Sequence, residues 1–126
     1  MSLKITAQEK QALYYTVKLE GSLDTSTYPQ LESQLRALIV IPAKAIVLDM
    51  SKLDYISSMG LRVIFKALKD MQAQGGWLVL SSMQPQIHKV FEIANALPDD
   101  GIFETVEEAD AYYDAMQKKV REAGKK

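Results

Sequence analysis

The sequence predicts an α/β protein with a mixed, mostly parallel sheet of four or five strands and about four helices, in the order β-β-α-β-α-β-α-β-α. Three observations carry this. Tyr15, Val17 and Leu19 alternate with Thr16, Lys18 and Glu20, the period-two mark of a half-buried strand. Two short apolar runs without alternation, Ala45–Leu48 and Trp77–Leu80, match strands covered on both faces, as in a parallel sheet between helices. The stretches that follow the strands repeat apolar residues at helical spacing.

Leu3–Thr6 and Leu13–Glu20 flank a polar turn and read as a hairpin, broken by Gly21-Ser22-Leu23-Asp24-Thr25. A helix over Ser26–Ile39 comes next. Tyr28, Leu31, Leu35 and Leu38 share one face, and Thr25 or Ser26 can cap its start. Pro29 fits in the first turn, where its missing N–H is harmless, and Pro42 marks the stop. After the apolar run, Asp49–Ser57 reads as a polar connection. Leu61, Ile64, Phe65 and Leu68 define a second helix, Ser58–Ala73, with Gly75-Gly76 as its C-cap rather than a phosphate loop. Ile87, Val90, Phe91 and Ala94 mark a third helix before Pro98, and Asp99-Asp100 reads as a turn ahead of Gly101. Ile102–Val106 is a short final strand; Ala109, Tyr112, Tyr113, Met116 and Val120 mark a last helix. Alternating strands and helices imply right-handed crossovers, with functional groups beyond the carboxyl ends of the strands. Those ends are Ser22–Thr25, Asp54–Ser58 and Ser81–Ser82, three hydroxyl-rich loops expected on one side of the molecule.

A length of 126 residues suits a single domain spanning 1–126, with an ordered core of about 3–120 and a basic tail ending Lys125-Lys126. Hydrophobic residues make up 48% and charged residues 25%, enough for a core without metals or disulfides. A net charge of -1 argues against the basic face of a direct nucleic-acid binder. The absence of cysteine excludes disulfide scaffolds, thiolate zinc sites and cysteine nucleophiles. Met1–Lys10 has no apolar core of a signal peptide, and no stretch reaches the roughly 20 apolar residues that span a bilayer. A cytoplasmic protein without membrane insertion is expected. His88, the single histidine, has no acid cluster near it in sequence and reads as a surface or capping residue rather than a metal ligand. Met50, Met59, Met71 and Met83 read first as core filling and second as adaptable docking residues.

The chemistry concentrates in Asp49–Ile64, where a buried strand meets a helix through the pair Ser57-Ser58, with Gly60 in the first turn. Free N–H groups and the positive end of the helix dipole point there. A phosphate at either serine finds donors ready-made and adds ~1.5–2 negative charges to a mild surface. By the same physics an acid in place of Ser58 is expected to be tolerated. A simple N-cap explains one hydroxyl of the pair and leaves the other unexplained. A weak nucleotide or small-anion site at this helix start is a further option. A hydrolase nucleophile is not supported: there is no Gly-x-Ser-x-Gly elbow, and His88 is the sole imidazole. The expectation is a non-enzyme with no catalytic residue, cofactor or metal.

Tyr55-Ile56-Ser57-Ser58-Met59-Gly60-Leu61 resembles the aromatic-Ile-Asp-Ser-Ser/Ala-Gly-Leu signature of the STAS domain, the fold of bacterial anti-sigma factor antagonists. Leu19-Glu20-Gly21-Ser22-Leu23-Asp24 is similar to that family's Gly-Glu-Leu-Asp turn, and Val47-Leu48-Asp49-Met50-Ser51 to its hydrophobic-Asp-Leu-Ser strand end. The resemblance runs from Leu3 to about Val120. It implies a phosphoprotein in which Ser58, two residues before the glycine, is phosphorylated by a partner that is both anti-sigma factor and serine kinase. The unphosphorylated form binds that partner and frees a sigma factor, and a serine phosphatase resets the switch. The family's turn aspartate maps onto Asp24. Asp24, Ser57, Ser58, Met59, Arg62 and Ser82 are expected to form the partner-binding face. Two acids of the family pattern are absent, since Ser57 and Ser22 stand in their places, which makes Ser57 a rival acceptor. The alternative is a docking subunit of another complex, a lipid-transport ATPase or a stress-signalling assembly, without phosphorylation.

Overall fold

The computed structural model describes residues 2–96 and 103–123. Its strands are β1 (Leu3–Gln11), β2 (Tyr14–Leu23), β3 (Ala45–Ile56) and β4 (Trp77–Ser81); its helices are α1 (Tyr28–Val40), α2 (Ser58–Ala73), α3 (Pro85–Ala96) and α4 (Val106–Ala123). The sheet order is β1-β2-β3-β4, antiparallel between β1 and β2 and parallel across β2–β3 and β3–β4. This is the expected mixed, mostly parallel architecture. Among the described residues the expected final strand is absent: Phe103–Thr105 have no strand structure, and Val106 already opens α4. Pro98, the Asp99-Asp100 turn, Gly101, Ile102 and the Lys125-Lys126 tail lie outside the described residues. No helix among the described residues is long and apolar enough to cross a membrane.

One face of the sheet holds the core. Val17, Leu19, Ile46, Leu48 and Met50 are fully buried beneath Leu31 and Leu35 of α1 and Ile64 and Met71 of α2. The other face is open, contrary to the two-sided cover expected of parallel strands. Trp77 is 47% and Val79 43% exposed, beside the half-buried Thr16, Val47 and Asp49. Ala45–Leu48 is largely buried as expected, whereas in β4 the apolar run marks a strand with only one covered face.

Three boundaries differ from the sequence reading. β1 runs on through the exposed, mostly polar residues Ala7–Gln11, which bury no apolar side chain and are held by backbone pairing to β2. The turn is then short, with Leu13 at φ 68 and its N–H donating to Glu9 Oε2 at 3.0 Å. Gly21 bends β2 rather than ending it. At φ 109 its backbone passes so close to Ser2 that a Cβ would lie 2.3 Å from the Ser2 carbonyl oxygen. Finally, Asp49–Ile56 is strand. It pairs with Lys18–Leu23 through two register shifts, and Met50, Leu53 and Ile56 turn inward.

β3 outruns β4, whose last pair is Asp49 with Ser81. Backbone groups of the overhanging edge are met by side chains instead. Gln84 Nε2 donates to the Ser51 carbonyl at 3.0 Å, and Gln86 Nε2 to that of Asp54 at 3.1 Å. Gln117 of α4 closes the row: its Oε1 accepts from Ile56 N–H at 3.0 Å and its Nε2 donates to Ile56 O at 2.8 Å. An amide thus does for Ile56 what a neighbouring strand would do.

Candidate functional site

The end of β3, the start of α2 and the loop after β2 meet at one place. Parallel pairing sets Leu23 beside Ile56, and Ser57 N–H donates to Leu23 O at 2.8 Å. Ser57 is the N-cap of α2, extended at φ -94 and ψ 171, and its Oγ accepts from Gly60 N–H at 3.2 Å. Gly60 is small by necessity, because a Cβ there would lie 2.7 Å from Leu23 Cγ and 3.1 Å from Ile56 Cγ1. The turn is held to β2 by a close approach that only glycine permits without displacement.

With Ser57 as the cap, Ser58 is the first helical residue. Its N–H donates to Asp110 Oδ1 of α4 at 2.8 Å. Its hydroxyl is buried and has no hydrogen-bond partner, in a residue only 7% exposed. Ser57 is also buried, at 1%. Met59 is half-buried and Arg62 exposed one helical turn beyond Ser58.

Asp24 stands at the opening of the β2–α1 loop and organises it. Its Oδ1 accepts from Ser26 N–H at 2.9 Å, Ser26 Oγ at 2.8 Å and Thr27 N–H at 3.0 Å. Thr27 Oγ1 accepts from Asp24 N–H and donates to Ser22 O, both at 2.8 Å. The N-cap position of α1 is Thr27 rather than Thr25 or Ser26; it makes no side-chain cap bond, and Asp24 instead closes the turn that leads into the helix. Partial burial opposes ionisation of Asp24, but the bonds from Ser26 and Thr27 outweigh it and hold the carboxyl below its usual range. Asp24→Ala should cost about 0.5–2 kcal/mol in urea unfolding near neutral pH, because the Ser26 and Thr27 N–H groups of the turn lose their acceptor much as they would with a lost cap. A carboxyl lowered in the fold contributes fully above its unfolded value of about 3.9 and loses that contribution as pH falls through the lower folded value. The gap between wild type and Asp24→Ala should narrow in that acid range; a constant gap down to the acid limit would assign the effect to packing.

Ser82 does not join this group. It follows Ser81, which is level with Asp49 and Lys18, whereas Ile56 is level with Leu23. Five residues of β2 separate those levels, roughly 16 Å at ~3.3 Å per residue. Ser82 is exposed at φ 59, lower on the β3 edge. His88 is exposed and faces Glu92 at 3.3 Å. Among the methionines, Met50 and Met71 are core residues, and Met59 and Met83 are half-buried.

The residues that sequence reasoning missed are on α4. Asp110, Asp114, Gln117 and Arg121 all bond the Asp54–Ser58 segment: Asp114 accepts from the Tyr55 hydroxyl, and Arg121 Nη2 donates to Asp54 O at 2.6 Å. Burial first, then Asp114, and more weakly Asp110 and Asp24, push the Tyr55 hydroxyl well above its ordinary range. The available signal was their spacing of four, three and four residues, one face of a helix. The apolar stripe of the same helix masked it.

A family model described as the STAS domain matches residues 4–109. The Bordetella bronchiseptica protein BtrV, a candidate anti-sigma factor antagonist, is 39% identical over 79 residues, covering 63% of this chain and 68% of that protein. An anti-sigma-B factor antagonist of Staphylococcus aureus is 28% identical over 93 residues, covering 74% of this chain and 83% of its own. Among solved structures, the phosphorylated form of the Bacillus cell fate determinant SpoIIAA aligns with a TM-score of 0.64 at 20% identity, covering 72% of this chain and 83% of the other. A candidate anti-sigma factor antagonist of Thermotoga maritima aligns with a TM-score of 0.67, also at 20% identity, over 93% and 94% of the two chains. The motif, the fold and the family match agree: the chain belongs to the STAS domain family.

Proposed function

We propose that this chain is an anti-sigma factor antagonist worked as a serine phospho-switch, with Ser58 as the acceptor. In the unphosphorylated state it binds an anti-sigma factor that is also its serine kinase, and a sigma factor goes free. In the forward step the Ser58 Oγ–H bond breaks, its proton passes to a base of the kinase, and Oγ bonds the γ-phosphoryl group of ATP as ADP leaves. The added charge ends binding. A serine phosphatase then directs water onto the phosphorus and returns the hydroxyl and inorganic phosphate. The chain is substrate and ligand in this scheme and catalyses nothing.

The observation that carries this reading is the idle hydroxyl of Ser58. Capping is done by Ser57, and Ser58 Oγ bonds nothing. A buried, unsatisfied hydroxyl costs about 1–3 kcal/mol, so its presence calls for a reason other than folding. Family membership supplies one, since relatives bear the name of anti-sigma factor antagonists. Asp24, Met59 and Arg62 reach the surface around the turn and are the proposed contact residues; Ser57 supports the turn from within.

The second reading, a docking subunit that is never phosphorylated, is favoured by one observation: Ser58 is only 7% exposed. Phosphate transfer from the cognate kinase and ATP separates the two. Ser58→Ala should take up no phosphate. Ser57→Ala should still be phosphorylated, although loss of its bond to Gly60 costs about 0.5–2 kcal/mol of stability. The reverse pattern moves the acceptor to Ser57, and no transfer to either serine favours the docking subunit.

A further inference from the structure

Helix α4 lies across the turn that holds Ser58. Asp110, Asp114, Gln117 and Arg121 form one polar face, and every one of them bonds a residue of Asp54–Ser58. The grip includes a two-bond amide clamp on Ile56, and Gln117 itself is 3% exposed. The Ser58 whose N–H bonds Asp110 of this face carries the buried, unpartnered hydroxyl. We propose that α4 is a cover belonging to the chain itself: docked, it closes Ser58 to any enzyme, and released, it opens the turn.

Two features fit such a cover. The first is competition at the α2 N-terminus. Asp110 already places a carboxylate on Ser58 N–H, a donor that a phosphate on Ser58 would use. A phosphate carries ~1.5–2 negative charges, and it would arrive among Asp110 and Asp114 of α4 and Asp24 of the neighbouring loop. Docked α4 and a phosphorylated Ser58 therefore exclude one another. The second is the polar nature of the hold of α4 on the turn, its apolar packing being directed to α3 and the Tyr113 cluster instead. Of its 18 residues, Ala109, Tyr113 and Gln117 are the buried ones, and its grip on the turn is polar. Elements with few buried apolar contacts open locally at lower cost than the core does. Release would uncover Tyr113, which packs with Phe103 and Tyr112. The phosphate consequence rests on the proposed function; the covering of Ser58 does not.

The chain has no cysteine, so Ser58→Cys introduces a single thiol whose alkylation by iodoacetamide reports access to this position. Ser26→Cys, at an exposed residue, gives the open reference. The Ser58→Cys thiol should react slowly against that reference. Adding Gln117→Ala alters no charge, removes the clamp on Ile56 and should speed the reaction about ten- to a hundredfold. Arg121→Ala, an exposed and gentler change, should give a smaller increase. Equal rates for Ser58→Cys and Ser26→Cys, or rates indifferent to both α4 substitutions, would overturn the cover. If Gln117→Ala unfolds the chain by circular dichroism, hydrogen exchange of the unsubstituted protein decides. Amides of α4 should exchange ahead of those of β2 and β3, and exchange as slow as the sheet would overturn the proposal. A thiol gated by α4 in a chain that accepts no phosphate would keep the cover and end the switch; phosphate transfer with an ungated thiol would do the reverse.

Discussion

Ser58→Asp should cost the protein both its partner and part of its stability, whereas Ser58→Ala should cost neither. The hydroxyl has no partner, so alanine removes no hydrogen bond and relieves a buried polar atom. Its stability should stay within roughly 0.5 kcal/mol of wild type or rise slightly. The acid is different. A positive helix end favours it, as the sequence leads one to expect, but that end already holds the Asp110 carboxylate, with Asp114 one turn along α4. Repulsion within a largely buried site outweighs the dipole, and a loss of about 1–3 kcal/mol in urea unfolding is expected. Binding to the anti-sigma factor, read by calorimetry, should fall at least about tenfold for Ser58→Asp, or 1.4 kcal/mol. Wild-type affinity in Ser58→Asp would remove charge at this position as the switch.

The turn itself should break most sharply at Gly60. A methyl there meets Leu23 Cγ at 2.7 Å, Leu23 Cδ2 at 2.9 Å and Ile56 Cγ1 at 3.1 Å, all in fully buried side chains. Gly60→Ala should destabilise by about 1–3 kcal/mol despite the better helix propensity of alanine. Leu23→Ala leaves a cavity and should cost about 2–5 kcal/mol. Because truncating Leu23 clears the two shortest contacts, the double variant should lose clearly less than the sum of the singles. A coupling of roughly 0.5–3 kcal/mol is expected from chemical unfolding of the four proteins. Strict additivity would show that Gly60 is small for some reason other than Leu23.

Much of this was legible in the sequence because it rests on period and punctuation. The alternation Tyr15–Glu20, the helical stripes and Gly75-Gly76 after α2 mark the elements that the structure contains. Gly75 adopts φ 78, and Gly76 N–H closes onto Met71 O at 2.9 Å, as a C-cap should. What failed depended on distant partners. Asp49–Ile56 is polar enough to resemble a loop, yet it is strand because β2 pairs one edge while Gln84, Gln86 and Gln117 serve the other. A glutamine 61 residues away carries no local signal at Ile56. The choice between Ser57 and Ser58 was open for the same reason: either can precede a helix, and only the position of Gly60 N–H identifies Ser57 as the cap. The expected last strand, Ile102–Val106, is a five-residue segment interrupted by Glu104 and Thr105, and Val106 at its end went to α4 instead.

The central claim is that phosphate on Ser58 and partner binding exclude one another. The direct measurement is phosphate occupancy across Ile56–Arg62, by mass spectrometry of the protein from its native cell, separately in the partner-bound and free fractions. The switch predicts phosphate on Ser58 in the free fraction and essentially none in the bound fraction. Equal occupancy in the two fractions, or no phosphate on Ser58 under any growth condition, would contradict it.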